Sequence, residues 1–305
     1  MKWDDFRQSD NVEDRRGGDD SGGGGGGFSL PTGGGGLGIG TIIILGIIGY
    51  AFGIDPRILI GGAEMINGSR SGGYEQPARP AQQAATPRQG AGATDQTSRF
   101  VSAVLAENED VWSDILPKQK NIQFVPPKLV LFSGATRSGC GTAQSAMGPF
   151  YCPVDQKIYL DTSFFQDMQK RFGGGGDFAY AYVISHEMGH HIENQLGILP
   201  KVQRAQQQAT SKQQANALSV RVELMADCLA GVWAANANQK WQILEAGDVD
   251  KAINTAQAIG DDRLQKAAQG YTVPDSFTHG SAAQRVQWLQ AGLQSGQIDS
   301  CNTFK

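Results

Sequence analysis

A chain of 305 residues holds one large domain or two small ones, and its 26 basic against 30 acidic residues leave a net charge of −4. No Lys/Arg cluster stands out, so the electrostatic footprint of a nucleic-acid binder is missing. Forty-one glycines, with repeated Gln and Ala runs, place a good part of the chain outside any packed core.

Residues 1–36 are charged and then almost pure glycine, a composition that predicts disorder. Leu37 to Ile54 follows, eighteen positions without a charge, closed by Asp55-Pro56-Arg57. That length just spans a bilayer, and its Gly-rich flanks leave a soluble helix nothing to pack against, so a single transmembrane helix is predicted. Gly49 and Gly53 give it a weak G-x-x-x-G pairing face. Residues 55–96, rich in Gly, Ser, Gln, Ala and Pro, read as a flexible linker. Lys2, Arg7, Arg15 and Arg16 precede the span while Arg57 and Arg70 follow it, so charge alone leaves its orientation undecided.

Cys140, Cys152, Cys228 and Cys301 all lie downstream and lack C-x-x-C spacing, which argues against a structural zinc knuckle. Two disulfides formed in an oxidising compartment account for them, with Cys140–Cys152 plus Cys228–Cys301 the preferred pairing; buried reduced thiols are the alternative. The expected location is therefore the inner membrane, with the N-terminus in the cytoplasm and the large C-terminal domain on the periplasmic side.

That domain, 97–305, is predicted to begin near Thr97, where Ser98 caps a helix from Arg99 to about Leu116 with an apolar stripe through Phe100, Val104, Val111, Trp112 and Ile115. Lys128 to Ser133 and Lys157 to Leu160 read as strands, the second a candidate edge strand for binding an extended peptide. A loop from Gly134 to Pro149 lies between them. Asp161-Thr162-Ser163 starts a helix to about Phe172. Asp177, read as an N-cap, opens a further helix that Gly197 stops.

Three of the four histidines lie in that last helix, and His186, Glu187 and His190 spell H-E-x-x-H. Positions four apart stack on one helix face, so both imidazoles reach one ion. Glu187, turned by about 100° from His186, reaches the edge of the site as a general base. A third histidine at the spacing H-E-x-x-H-x-x-G-x-x-H is excluded, because Glu193 and Leu196 occupy the required positions. His191 is rotated away from the ion. The next convincing buried helix, Ala215 to Ala235, follows a Gln-rich stretch and carries Glu223 and Asp227 four apart. Unpaired, they would be costly to bury; ligation by Glu223 and a histidine N–H held by Asp227 resolve that cost. Ser281 and Gln284 resemble a capping box for a final helix, Ala282 to Gln294. His279, just before it, is either a plain loop histidine or, with Arg285, a donor to an oxyanion.

The paired motifs resemble those of thermolysin-type zinc peptidases, the gluzincins. The wider runs G-P-F-Y-C-P-V-D-Q-K-I-Y-L-D, S-H-E-M-G-H-H-I-E-N-Q, E-L-M-A-D-C and F-T-H-G-S-A-A-Q-R are similar to the bacterial neutral zinc metallopeptidase family. The resemblance implies an α+β, mainly helical zincin-like domain with a small β-sheet. It further implies one Zn2+ ion on His186, His190 and Glu223, with Glu187 catalytic and Asp227 orienting a ligand from behind. The expected function is a membrane-anchored zinc peptidase acting on a peptide or protein substrate. The competing readings are a non-catalytic metal- or partner-binding module and a zinc hydrolase of a non-peptide amide or ester.

Overall fold

The sheet begins where disorder was expected. In the computed structural model, which describes residues 1–16, 95–172 and 175–305, Val12–Asp14 (β1) lies parallel to Lys128–Phe132 (β2), pairing Val12 with Leu129 and Asp14 with Leu131. β2 in turn lies parallel to Lys157–Asp161 (β6), and Phe150–Cys152 (β5) pairs antiparallel with β6, giving the order β1-β2-β6-β5. The K-L-V-L-F run has no polar alternation because after its first residue every position is buried, as an inner parallel strand requires. The predicted edge role of Lys157 to Leu160 is thus corrected: β6 has a neighbour on both sides.

The 1–36 segment is also corrected in its first part. Met1 and Trp3 sit in the main core, and Trp3 meets Phe100 edge-on at 5.3 Å. The folded unit therefore does not begin near Thr97. The predicted transmembrane segment Leu37 to Ile54 lies outside the described residues, as does all but the last two positions of the 55–96 linker. Among the described residues no helix is long and apolar enough to cross a membrane.

Helix α1, Gln96–Lys120, starts two residues before the N-cap assigned from sequence, because Asp95 rather than Ser98 caps it, accepting the Ser98 N–H at 3.0 Å. The loop from Gly134 to Pro149 contains a separate hairpin, Ala135–Ser138 (β3) with Gly141–Gln144 (β4). Ser163–Phe172 (α2) precedes Asp177–Gln195 (α3), the H-E-x-x-H helix. Asp177 is its first residue, not its cap, and its carboxylate instead accepts the Trp3 indole N–H at 2.8 Å.

Gly197, at φ 71°, turns the chain into Ile198–Gln207 (α4), which holds the first part of the Gln-rich stretch. Lys212–Trp241 (α5) follows, capped by Ser211. Asp248–Ala258 (α6), Asp261–Gln269 (α7) and Ala282–Ser295 (α8) complete the helical layer, and α8 has the full Ser281/Gln284 capping box.

Mainly helical with one small sheet and a hairpin, the architecture is α+β. Helices α5 and α8 touch backbone to backbone: a Cβ on Gly292 would lie 1.9 Å from the Cys228 carbonyl oxygen, so only glycine fits. The Cys228–Cys301 disulfide ties α5 to the C-terminal turn, and Cys140–Cys152 ties the hairpin loop to β5.

Candidate metal centre

α3 carries His186 and His190 one turn apart, with ring centroids 4.8 Å from each other, and both are buried. α5 crosses behind them and delivers Glu223. Its Oε2 lies 3.2 Å from His186 Nε2 and its Oε1 lies 3.6 Å from His190 Nε2. One donor atom from each residue falls within 4.8 Å of the others. Donors bound tetrahedrally to zinc at about 2.0–2.1 Å lie about 3.3 Å apart, so small side-chain movements close this set on an ion.

The approach of the two helices depends on Gly189, inside the H-E-M-G-H stretch. A Cβ there would stand 3.0 Å from both Cα and the carbonyl oxygen of Ala226. The absent side chain lets α5 come close enough for Glu223 to reach both imidazoles.

Each histidine has its other nitrogen held. His186 Nδ1 lies 2.9 Å from Asp227 Oδ1, and His190 Nδ1 lies 2.8 Å from Glu193 Oε2. A carboxylate on Nδ1 takes the N–H and leaves the Nε2 lone pair for a metal. Asp227 is fixed in its turn: Arg285 donates to both of its oxygens at 2.9 Å, and the Tyr182 hydroxyl donates at 2.6 Å. Arg285, one reading of which made it an oxyanion donor with His279, donates to Asp227 and to the Tyr182 hydroxyl.

The electrostatics suit a cation. Burial opposes charge on His186, yet the Asp227 and Glu223 carboxylates outweigh it and raise the imidazole to about 10. Burial likewise works against the Glu223 carboxylate, but His279, His190 and His186 together hold it well below the usual range. Glu187 is pushed upward by burial, partly offset by the two histidines and by the Tyr151 N–H, which donates to it from β5.

His279 lies near enough to this cluster for its charge to favour the Glu223 anion, alongside His190 and His186. Its Nδ1 lies 3.5 Å from Asp261 Oδ1, while Asp261 Oδ2 accepts the backbone N–H groups of Thr278, His279 and Gly280 at 2.7, 2.7 and 3.0 Å. His191 points elsewhere. Its Nε2 faces the Val125 carbonyl at 2.7 Å, its Nδ1 faces the Tyr151 hydroxyl at 3.0 Å, and burial lowers it to about 4.

Sequence reasoning missed Glu193, Tyr182, Gly189 and Asp261. For Glu193 and Tyr182 a signal existed: they lie three residues after His190 and four before His186, on the faces those rings occupy. For Asp261 there was none, since eighteen positions separate it from His279.

Two helices thus present a pair of Nε2 atoms and a glutamate that could hold a metal ion, with a second glutamate in the H-E-x-x-H stretch, the donor set a zinc metallopeptidase family would need. The chain belongs to the family described as "Putative neutral zinc metallopeptidase", whose sequence model matches residues 1–304. It is 47% identical over 305 residues to "Uncharacterized protein YpfJ" of Escherichia coli K12, covering 100% of this chain and 99% of that protein. "Uncharacterized protein Rv2575" of Mycobacterium tuberculosis H37Rv is 44% identical over 204 residues, 64% of this chain and 66% of its own length. No solved structure matches the chain.

Proposed function

We propose that the chain is a zinc-dependent peptidase in which Glu187 is the proton-transfer group. His186 and His190, through Nε2, and Glu223, through its carboxylate, hold the ion. When bound, zinc supplies a positive charge that lowers the pKa of a water towards about 7 and polarises a carbonyl. Glu187, raised by burial and kept in place by the Tyr151 N–H, takes the proton from the attacking water and returns it to the leaving amine. Asp227 and Glu193 fix the two imidazole rings through Nδ1. His279, oriented by Asp261, donates to the oxyanion that develops on the carbonyl.

The sheet supports a place for the substrate. β5 is an outer strand that carries Tyr151, whose backbone interacts with Glu187, so an extended peptide added along β5 would pass the proton-transfer carboxylate. The two disulfides support a domain that matures in an oxidising compartment.

The observation that carries the reading is the gathering of two Nε2 atoms and one carboxylate within 4.8 Å, with Glu187 next in sequence to one of them. Glu187→Gln tests it. The variant should retain one equivalent of zinc while cleavage of a mixed peptide library falls by about 10²–10⁴-fold. Cleavage at the parental rate, or cleavage insensitive to a chelator, would overturn it.

A further inference from the structure

The sixteen N-terminal residues are built into the domain at four places. The Asn11 carbonyl accepts the Leu129 N–H and the Arg15 N–H donates to the Leu131 carbonyl, both at 2.8 Å, extending β1 beyond its three paired residues. Ser9 Oγ and Asn11 Nδ2 both donate to Glu109 of α1, at 2.6 and 2.8 Å. Trp3 is 6% exposed and reaches across to Asp177 at the start of α3. Glu13 meets Lys157 Nζ at 2.9 Å, and with that contact, Arg15 and Lys128 outweighing burial, its carboxyl is held down at about 2.

The decisive contact is at the end of the segment. Arg16 Nη1 lies 2.8 Å from Asp95, the residue that caps α1. The two chain ends that flank residues 17–94 are therefore side by side. A bilayer's hydrocarbon core is about 30 Å thick, and a chain that crosses it once leaves its flanks on opposite faces. The run from Leu37 to Ile54 has the length of one crossing; two would need about 40 apolar residues.

We propose that Met1–Arg16 and the metallopeptidase domain lie on the same side of any membrane the protein meets. The single-pass arrangement, with the N-terminus and the domain on opposite sides, would require β1 to part from β2 of the same chain. The conclusion also holds where β1 docks on a second copy of the chain, since that copy's domain shares the side. It does not depend on the activity proposed above.

Two variants of the full-length chain, each adding one cysteine to the four held in disulfides, test it: Asp4→Cys and Gln257→Cys, both at exposed positions. Spheroplasts are treated with a membrane-impermeant maleimide before and after lysis. Both sites should react under the same condition, whether before lysis or only after it. One site reacting in intact spheroplasts and the other only after lysis would overturn the proposal.

A measurement on the unsubstituted chain guards against mispaired thiols. Carbodiimide treatment of native membranes should couple Glu13 to Lys157, recovered as a cross-linked peptide by mass spectrometry. Its absence from a sample in which the neighbouring Asp114 and Lys118, 2.6 Å apart, do couple would overturn the proposal as well.

Discussion

Removing the carboxylate behind His190 should weaken zinc binding without unfolding the domain. Glu193 is 0% exposed, its Oε2 lies 2.8 Å from His190 Nδ1, and its Oε1 has no hydrogen-bond partner among the described residues. Holding that ring is thus its one visible task. Glu193→Ala leaves the Nδ1–H without an acceptor in a dry site, frees the ring to turn and removes a negative charge from beside a dication. Such outer partners are worth about 10–100-fold in metal affinity, or roughly 1.4–2.8 kcal/mol. Glu193→Gln keeps an acceptor of the same reach and loses only the charge, so it should fall near the tenfold end and Glu193→Ala near the hundredfold end. Competition against a chromophoric chelator at neutral pH measures both, with circular dichroism confirming that each variant is folded. A folded Glu193→Ala that binds zinc as tightly as the parent would refute the reasoning, as would an alanine variant that binds more tightly than the glutamine one.

Glu107 in α1 is buried with neither oxygen hydrogen-bonded, and burial, with a smaller push from Asp110, raises it to about 8 from 4.5. A carboxyl raised in this way contributes stability that is complete below about 4.5 and is lost as pH climbs through about 8, a loss on the order of a few kcal/mol. Urea unfolding across that window should show a decline in the parent that Glu107→Gln flattens; parallel declines would refute the assignment. Trp3→Ala should cost about 3–5 kcal/mol, read from the urea midpoint of the full chain, and a cost below about 1 kcal/mol would show that the segment does not dock. Gly189→Ala should drive α5 from α3 and weaken zinc binding by more than about tenfold in the chelator assay; parental affinity would show that the close approach is not what positions Glu223.

The fold was legible where local pattern and tertiary role coincide. The apolar stripe through Phe100, Val104 and Trp112, the Ser281/Gln284 box and the buried run around Leu224 to Trp233 each state a helix by themselves, and each is found. Met1–Arg16 was misread because its composition is that of a solvated tail. Only three of its residues form strand, and its core contribution rests on buried Met1 and Trp3 with Phe6 and Val12 packed against the same core, on partners far away in sequence. No window of the sequence contains both halves of those contacts. The same limit misplaced the sheet edge. The K-I-Y-L run and the F-Y-C run are both apolar, and which of them is flanked on two sides is decided by the arrival of β2 from elsewhere.

The metal centre divides along the same line. His186, Glu187 and His190 are readable because a helix repeats every 3.6 residues, and Glu223 with Asp227 because two acids one turn apart in an apolar helix need a reason to be there. What stood outside the pattern is the second layer, where each contact joins one helix to another: Arg285 on α8 to Asp227 on α5, Asp261 on α7 to the loop of His279, Gly189 on α3 to Ala226 on α5. Arg285 shows the consequence best. Taken from sequence alone, an arginine near a proposed oxyanion site is a candidate donor to it. In the fold, Asp227 at 0% exposure already has His186 and Tyr182 as partners and carries a negative charge that burial makes costly, and Arg285 is the cation that offsets it. An arginine committed to that pair is not free for the substrate, which is why the proposed mechanism assigns the oxyanion to the part-buried His279 instead.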